Sequence, residues 1–232
     1  MAKMPLLLLP GLLLDHRLFE AQVEALGDVA EVTVGDLSRH ADIRAAADAL
    51  LAEAPERFAL GGLSMGGYVA LEIMRRAPER VSRLILLDTQ AQLDTEDARK
   101  RRLDQIAMAG RGEFASLKDQ LLPGWVYPER RADDALMSLV HAMADGIGPE
   151  GFVREQRLIM SRPDSMPLLS AIACPTLVLC GREDATTPVP RHLEMAEAIP
   201  GAALVVVPRC GHLSTLEHPW LVGQAMRAIL AV

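Results

Sequence analysis

The sequence predicts an α/β fold in which a mostly parallel sheet of about six strands is flanked by helices. Six short apolar runs bounded by Gly, Pro or Asp lie along the 232-residue chain. Continuous apolar runs are typical of strands buried on both faces of a parallel sheet. Helix-period stretches separate several of them, which favours right-handed strand–helix–strand crossovers. The predicted strands are Met4–Leu9, Val29–Val34, Arg57–Leu60, Leu84–Leu87, Thr176–Cys180 and Ala203–Val207.

Helices are predicted where apolar residues recur three or four positions apart. One such pattern follows the first strand, a second follows the second strand, and a third closes the chain. Another helix, Tyr68–Ala77, follows the third strand. The residues that carry the three patterns are Phe19, Val23 and Leu26; Ile43, Ala47, Leu50, Leu51 and Ala54; and Val222, Met226, Ile229 and Leu230.

Residues 90–164 interrupt the alternation of strands and helices, because no credible strand occurs among them. A crossover between parallel strands needs only a dozen or more residues, so this stretch is interpreted as an inserted helical cap. Residues 1–89 and 165–232 would then form the α/β core. The helices predicted for the cap are Asp94–Ala109, Glu113–Leu122, Glu129–Ala144 and Pro149–Met160.

Composition and charge exclude several classes of protein. The net charge is −7, and no Lys/Arg run is long enough to track a phosphate backbone, so a nucleic-acid partner is not expected. Three cysteines without metal-ligand spacing indicate neither a disulfide framework nor a zinc site. The apolar N-terminal run is broken by Pro10-Gly11, which favours a buried strand over a signal peptide. No run is long enough to span a membrane, and we expect a cytoplasmic protein.

The strongest chemical signal is the pentapeptide Gly62-Leu63-Ser64-Met65-Gly66, which lies between a predicted strand and a predicted helix. A Gly-x-Ser-x-Gly turn in that setting strains the serine backbone and presents its hydroxyl at the helix N-terminus. Ser64 is therefore the candidate nucleophile. The alternative is a serine that merely caps the helix.

A serine nucleophile needs a histidine base and an acid that orients the histidine. His212 follows the strand Ala203–Val207 on a glycine-bearing loop, where open α/β sheets collect functional side chains. Asp184 follows the strand Thr176–Cys180 and is the preferred acid, while Glu183 and Asp88 remain alternatives. Four other histidines, His40, His141, His192 and His218, are interpreted as surface or packing residues.

Two backbone N–H groups are predicted to form an oxyanion hole. One belongs to Met65, directly after the nucleophile, and the other to Leu12, in the loop after the first strand. Gly11 would allow the turn that aims the Leu12 N–H, although a glycine there also suits an ordinary turn.

Three further residues are candidates for substrate contact. His16 lies near the loop after the first strand, and Trp125 and Met143 lie in the predicted cap. The apolar cap residues favour a small to medium, largely apolar substrate, although each is also a plausible core residue.

Four segments together resemble the α/β-hydrolase family: Pro10-Gly11-Leu12, Gly62–Gly67, Gly181–Asp184 with Pro188, and Gly211-His212 with Glu217–Pro219. Small capped esterases and enol-lactone hydrolases are the most similar branch. The resemblance implies a cap between the strand ending at Asp88 and the strand starting near Pro175. It also implies a triad in the order Ser64, Asp184, His212 and a serine mechanism without cofactor or metal. The expected function is hydrolysis of a small-molecule carboxylic ester or lactone through an acyl-enzyme.

The motifs leave other functions open. Acyl thioesterases and carbon–carbon bond hydrolases share the triad, and some proteins of this fold are ligand receptors or interaction proteins without catalysis. The oligomeric state is open as well. The chain departs from the resemblance in having Pro10-Gly11 where relatives usually carry His-Gly. It also has only Met1–Lys3 where relatives carry an antiparallel strand pair, so six strands are expected.

Overall fold

A computed structural model describes residues 3–232, and Met1 and Ala2 lie outside this range. The described residues form one six-stranded sheet in which every neighbouring pair is parallel. The strand order is β2-β1-β3-β4-β5-β6, which confirms the predicted α/β class. The strands are β1 (Met4–Leu9), β2 (Ala30–Val34), β3 (Phe58–Leu63), β4 (Val81–Leu87), β5 (Thr176–Gly181) and β6 (Ala203–Val207).

Helices cover both faces of the sheet and bury alternate side chains of each strand. In β1, Leu6 and Leu8 belong to one apolar core and Leu7 and Leu9 to the other. Burial on both faces explains why the central strands are apolar throughout. The helices are α1 (Glu20–Leu26), α2 (Ile43–Glu53), α3 (Met65–Arg76), α4 (Glu96–Gly110), α5 (Phe114–Leu121), α6 (Asp134–Ser161), α7 (Val189–Ala198), α8 (Ser214–Glu217) and α9 (Pro219–Leu230). Helices α1 and α9 pack on one face, and α2, α3 and α7 on the other.

The third strand is longer than its apolar pattern predicted. It continues through Gly61 and Gly62 to Leu63, because these residues pair with Ile85–Leu87 of β4. Glycine has low strand propensity, so the pattern alone ended the strand too early. Helix α3 then begins at Met65, which leaves Ser64 alone in the turn.

Residues 88–175, here named the β4–β5 connection, contain α4, α5 and α6. The segment labelled α6 begins at Asp134 and consists of two helical halves that meet at Gly148, and these halves correspond to the two helices predicted here. The kink lies at Gly148, whose φ of 68° is readily adopted only by glycine. Pro149 follows, at the start of the second half, where the missing N–H costs nothing. The Asp133 carboxylate caps the first half by accepting the Leu136 N–H at 3.1 Å.

The sheet order fixes where the strand-end loops converge. The chain places β2 on one side of β1 and the remaining strands on the other, so the connections reverse direction between β1 and β3. In open α/β sheets, ligands bind outside the carboxyl ends of strands at such a point. The loops after β1 and β3, which hold Leu12 and Ser64, meet there. Within residues 3–232, no helix has both the length and the apolar character needed to cross a bilayer.

Candidate active site

Ser64 occupies a tight turn with φ 54° and ψ −114°. A non-glycine residue in such a conformation costs about 1–3 kcal/mol, so the surrounding packing must impose it. Glycines make the packing possible: a Cβ on Gly62 would lie 2.2 Å from the Gly66 carbonyl oxygen, and one on Gly66 would lie 2.0 Å from the Leu9 carbonyl oxygen. The Thr89 hydroxyl donates to the Ser64 carbonyl at 2.8 Å. Ser64 lines a cavity of about 470 Å³.

His212 lines the same cavity and is held by Asp184. Its Nδ1 lies 2.8 Å from Asp184 Oδ2, and the two side chains are only 4% and 0% exposed. The Asp184 carboxylate also accepts the backbone N–H groups of Thr186 and Thr187, at 2.8 and 3.0 Å, and the Thr187 hydroxyl at 2.7 Å. Asp184 Oδ2 near Nδ1 fixes the ring and favours a proton on Nδ1, which leaves Nε2 free to accept one.

Nearby charges and hydrogen bonds raise the pKa of His212 and lower the pKa of Asp184. Burial alone would lower the pKa of His212, but the charge of Asp184 and its hydrogen bond outweigh burial and raise it. Burial would likewise raise the pKa of Asp184, but His212 and the Thr187 hydrogen bonds lower it instead. An ionised Asp184 therefore stabilises a protonated His212.

The two alternative acids make other contacts. Asp88 is fully buried, accepts the Gly181 N–H at 2.9 Å and is hydrogen-bonded by the Ser214 hydroxyl. Burial, together with the charge of Asp184, raises its pKa to about 8. Glu183 accepts the Cys210 N–H at 3.0 Å. Both carboxylates tie neighbouring strand-end loops together, and neither is hydrogen-bonded to His212.

The two predicted oxyanion donors, Leu12 and Met65, belong to the loops that meet at Ser64. Leu12 lines the cavity, and Met65 is the first residue of α3, where a backbone N–H has no acceptor within its helix. Among residues 3–232, neither N–H donates to a protein acceptor. Next to Leu12, Leu13 has φ 60°, a conformation that a leucine rarely adopts.

A buried glutamate that the sequence analysis missed holds this strained loop. Glu155, from α6, is 1% exposed, and its Oε2 accepts the Leu13 N–H at 2.9 Å. Burial raises the pKa of Glu155 to about 8. The contact joins residues 142 positions apart, so nothing in local sequence could have indicated it.

A second missed glutamate, Glu217, ties the His212 loop to residues 125–127. Its carboxylate accepts the N–H groups of Tyr127 and Gly211, each at 2.9 Å. The His212 N–H donates to the Trp125 carbonyl at 2.7 Å. His212 is thus bound through its backbone to the β4–β5 connection.

Of the three residues predicted to contact substrate, the cavity includes only Trp125, whose ring centroid lies 6.4 Å from that of His212. His16 points into solvent with 71% of its side chain exposed, and Arg17 makes the closer contact with Asp15, at 2.6 Å. Met143 is fully buried in the apolar core and does not line the cavity. The walls also carry polar side chains, including Gln90, Gln92, Arg102, Gln105 and Gln156, so the lining is more polar than the predicted, largely apolar substrate would require.

Residues 6–222 match the model of the alpha/beta hydrolase family. The chain belongs to this family. It is 26% identical over 182 residues to a pimeloyl-[acyl-carrier protein] methyl ester esterase of Chromobacterium violaceum, covering 76% of this chain and 71% of that protein. Family membership and these relatives make the chain a hydrolase.

Two solved structures resemble this hydrolase throughout. A thermophilic esterase from Thermogutta terrifontis, solved with malate bound, is 33% identical with a TM-score of 0.90, covering 99% of this chain and 90% of that one. An enol-lactonase from Burkholderia xenovorans LB400 has the same TM-score at 22% identity, covering 100% and 93%, and at that identity shows the fold alone. Among residues 3–232, no group of three His, Cys, Asp or Glu side chains is arranged to hold a metal ion.

Proposed function

We propose that this hydrolase cleaves a carboxylic ester or lactone through an acyl-enzyme on Ser64. The observation that carries the proposal is the position of His212, which is held by Asp184 at 2.8 Å while lining the same cavity as Ser64. A nucleophile, a base and an acid at the ends of β3, β6 and β5 are the parts that acyl transfer requires. The esterase relatives support this reaction class.

The first half of the reaction forms the acyl-enzyme. Ser64 Oγ attacks the carbonyl carbon while His212 Nε2 takes its proton. The N–H groups of Leu12 and Met65 donate to the oxyanion, and ionised Asp184 stabilises the positive charge on the ring. The intermediate then collapses, and the protonated His212 gives its proton to the leaving alkoxide.

The second half releases the acid. A water molecule, deprotonated by His212, attacks the ester carbon of the acyl-enzyme. Collapse of the second tetrahedral intermediate returns the proton to Ser64 Oγ and frees a carboxylic acid. No cofactor takes part in any of these steps.

Residues 90–164 are proposed to act as a cap over this chemistry. Five residues from α4, α6 and the turn after α5 support this role by lining the cavity beside Ser64: Arg102, Gln105, Trp125, Gln156 and Ile159. Such a cap would limit the size of the substrate and exclude water from the oxyanion.

The test is covalent labelling together with turnover. A fluorophosphonate should label the wild-type protein once, at Ser64, as read by peptide mass spectrometry. Ser64→Ala should lose the label and lower kcat for p-nitrophenyl esters by about 10⁴- to 10⁶-fold. Ser116→Ala, at an exposed serine of α5, is the matched control and should retain both label and turnover.

Other outcomes would point to other functions. A labelled protein that cleaves acyl thioesters far faster than oxygen esters would be a thioesterase. Tight ligand binding without release of nitrophenol would indicate a receptor. Retained turnover in Ser64→Ala would refute the assignment of the nucleophile.

A further inference from the structure

The cavity beside Ser64 carries charge opposite in sign to that of the whole chain. Its charged side chains are three arginines, Arg101, Arg102 and Arg191, and one carboxylate, Asp94. Arg191 is paired with Glu194, outside the lining, at 3.2 Å, so the positive excess comes from Arg101 and Arg102. The chain as a whole has a net charge of −7. A cationic cavity in an acidic protein attracts anionic ligands and repels cationic ones.

The excess positive charge lies partly on largely buried side chains of the cavity wall, and not only on exposed side chains at its opening. Arg102 Nε donates to Asp94 Oδ2 at 2.7 Å, and Arg162 Nη2 donates to Asp94 Oδ1 at 2.8 Å. The side chains of Arg102, Arg162 and Asp94 are 20%, 4% and 9% exposed. Asp94 stays ionised, since the two guanidinium groups lower its pKa although burial acts to raise it. One carboxylate thus faces two cations.

A largely buried charge without a partner is costly, so this wall favours a bound anion. In the part of the chain that the structure describes, Asp94 is the one carboxylate within ion-pair distance of Arg102 or Arg162. Arg162 lies against the Tyr68 ring, 4.2 Å from its centroid, and donates to backbone carbonyls. Of these two cations, Arg102 is the one that lines the cavity.

The Arg102 guanidinium is held in one orientation. Besides Asp94, it donates from Nη1 to Gln156 Oε1 at 2.8 Å, and the fully buried Gln156 donates in turn to Gln105 Oε1 at 2.8 Å. These bonds use three of the five guanidinium N–H groups and leave two for a ligand. Because this guanidinium is fixed before binding, it loses little conformational entropy when it binds an anion.

We propose that Arg102 binds a carboxylate on the substrate, so that the preferred substrates are half-esters of dicarboxylic acids or lactones bearing a carboxylate. This proposal rests on ester hydrolysis at Ser64. The sequence suggested a largely apolar ester or lactone. This proposal adds one charged group to that substrate, at the end away from the reacting ester. Arg101, one position earlier on α4 and more exposed, adds attraction at the cavity surface.

The experiment compares two esters that differ only at the far end. One is monomethyl glutarate, and the other is its neutral counterpart in which a carboxamide replaces the free carboxylate. For the wild-type protein, kcat/KM should favour the carboxylate by about 10- to 100-fold, the usual range for a charge-assisted hydrogen bond. Monomethyl succinate and adipate, with their carboxamide counterparts, test the spacing.

Two variants locate the effect. Arg102→Gln should reduce the ratio of the two kcat/KM values to about 1, and Arg102→Lys should recover part of it, because lysine keeps the charge but loses the planar fork. Lys100→Gln removes the same charge from the same helix. Lys100 pairs with Asp104 at 2.7 Å and does not line the cavity, so this control should leave the ratio unchanged.

Binding measurements keep the outcome decisive if Arg102→Gln fails to fold. Glutarate should bind the wild-type protein at least about 10-fold more tightly than glutaramide in calorimetry. A wild-type protein that binds both equally, or a folded Arg102→Gln that keeps the full ester ratio, overturns the proposal. An enzyme labelled at Ser64 that hydrolyses both esters equally would contradict this proposal alone. Absence of Ser64 labelling would contradict the proposed function, while glutarate binding would still decide the anion site.

Discussion

Two carboxylates, Asp88 and Asp184, are buried at the ends of adjacent strands, but they differ in charge and in contacts. Asp184 touches His212 and has a lowered pKa, whereas the pKa of Asp88 is raised to about 8. At neutral pH one is ionised and the other is mainly neutral. The charge of Asp184 and its hydrogen bond to the ring are the largest influences that raise the pKa of His212.

Replacing each aspartate by asparagine should separate these roles. Asp184→Asn removes the charge and permits the wrong histidine tautomer, which lowers kcat by about 10⁴-fold in the serine protease case. Asp88→Asn resembles the neutral acid already present, so its effect should be far smaller. Both are measured by kcat on a p-nitrophenyl ester. The opposite ranking would make Asp88 the triad acid.

The pH profile of kcat/KM should report the ionisation of His212. Only the neutral ring can accept the Ser64 proton, so activity should fall on acidification, with a midpoint above 6.5 because the pKa is raised. In Asp184→Asn the residual activity should show a lower midpoint, since burial then acts without the opposing charge.

His192 provides an internal comparison for that profile. Burial lowers its pKa to about 4, so it stays neutral where His212 titrates. If the midpoint of the wild-type kcat/KM profile lies at or below pH 6.5, or does not move in Asp184→Asn, the loss of activity at low pH belongs to a group other than His212.

Sequence motifs predicted the residues of the candidate triad because local chemistry requires them. Ser64 needs glycines around it, and His212 and Asp184 follow apolar strands directly. Glu155 carries no such signal, since its partner is a backbone N–H group on a distant loop. Glu217 belongs to one of the segments that resemble the hydrolase family, but its bond to the distant Tyr127 N–H carries no local signal. A glutamate in a helical pattern looks like a solvent-facing residue until the fold buries it.

At the scale of helices, Trp125 and Met143, both in the proposed cap, form a matched pair for testing substrate choice. Trp125 lines the cavity, whereas Met143 is buried away from it. Trp125→Leu should change the order of kcat/KM values across acyl chains of increasing length, because it enlarges the cavity. Met143→Leu conserves volume and should keep that order, at a cost in stability below about 1.5 kcal/mol.

Both variants are compared on p-nitrophenyl esters from acetate to octanoate, with unfolding in urea as the check on stability. If Trp125→Leu leaves the order unchanged, the acyl group binds elsewhere in the cavity. Helical periodicity predicted the two halves of α6 as separate helices, and the backbone does leave helical geometry at Gly148, just before Pro149.

For the molecule as a whole, stability should depend on the neutral buried acids. Glu155 has a pKa of 4.5 in the unfolded chain and about 8 when folded, so the folded state binds the proton more tightly. Its contribution to the free energy of unfolding is therefore fully present below pH 4.5 and is lost as the pH rises towards 8.

Glu155→Gln should flatten this dependence, since an amide keeps an acceptor for the Leu13 N–H and cannot ionise. The wild type should lose up to about 1.4 kcal/mol per pH unit more than the variant between these limits, measured by urea unfolding. Glu150→Gln, at an exposed position of the same helix, is the control. Parallel stability curves for wild type and Glu155→Gln would show that Glu155 is ionised throughout.

The class and the number of strands could be predicted because continuous apolar runs are a property of each strand alone. The charge of the cavity could not, because Arg102, Asp94 and Arg162 meet only when α4 packs on α6. In sequence, Arg102 belongs to a basic cluster flanked by acids that resembles a solvated helix face. Folding converts part of that cluster into a wall of the candidate site.

The backbone bonds from residues 125–127 to the His212 loop also bear on how such proteins can be recombined. A chimera that exchanged the whole β4–β5 connection for that of a relative would remove the Trp125 carbonyl and the Tyr127 N–H, which hold His212 and Glu217. The workable junctions therefore leave this short segment with the sheet and exchange α4, α5 and α6 together while keeping Glu155, because Arg102 of α4 is hydrogen-bonded to Gln156 of α6 and Glu155 accepts the Leu13 N–H. Specificity could then be transplanted without dislodging the base.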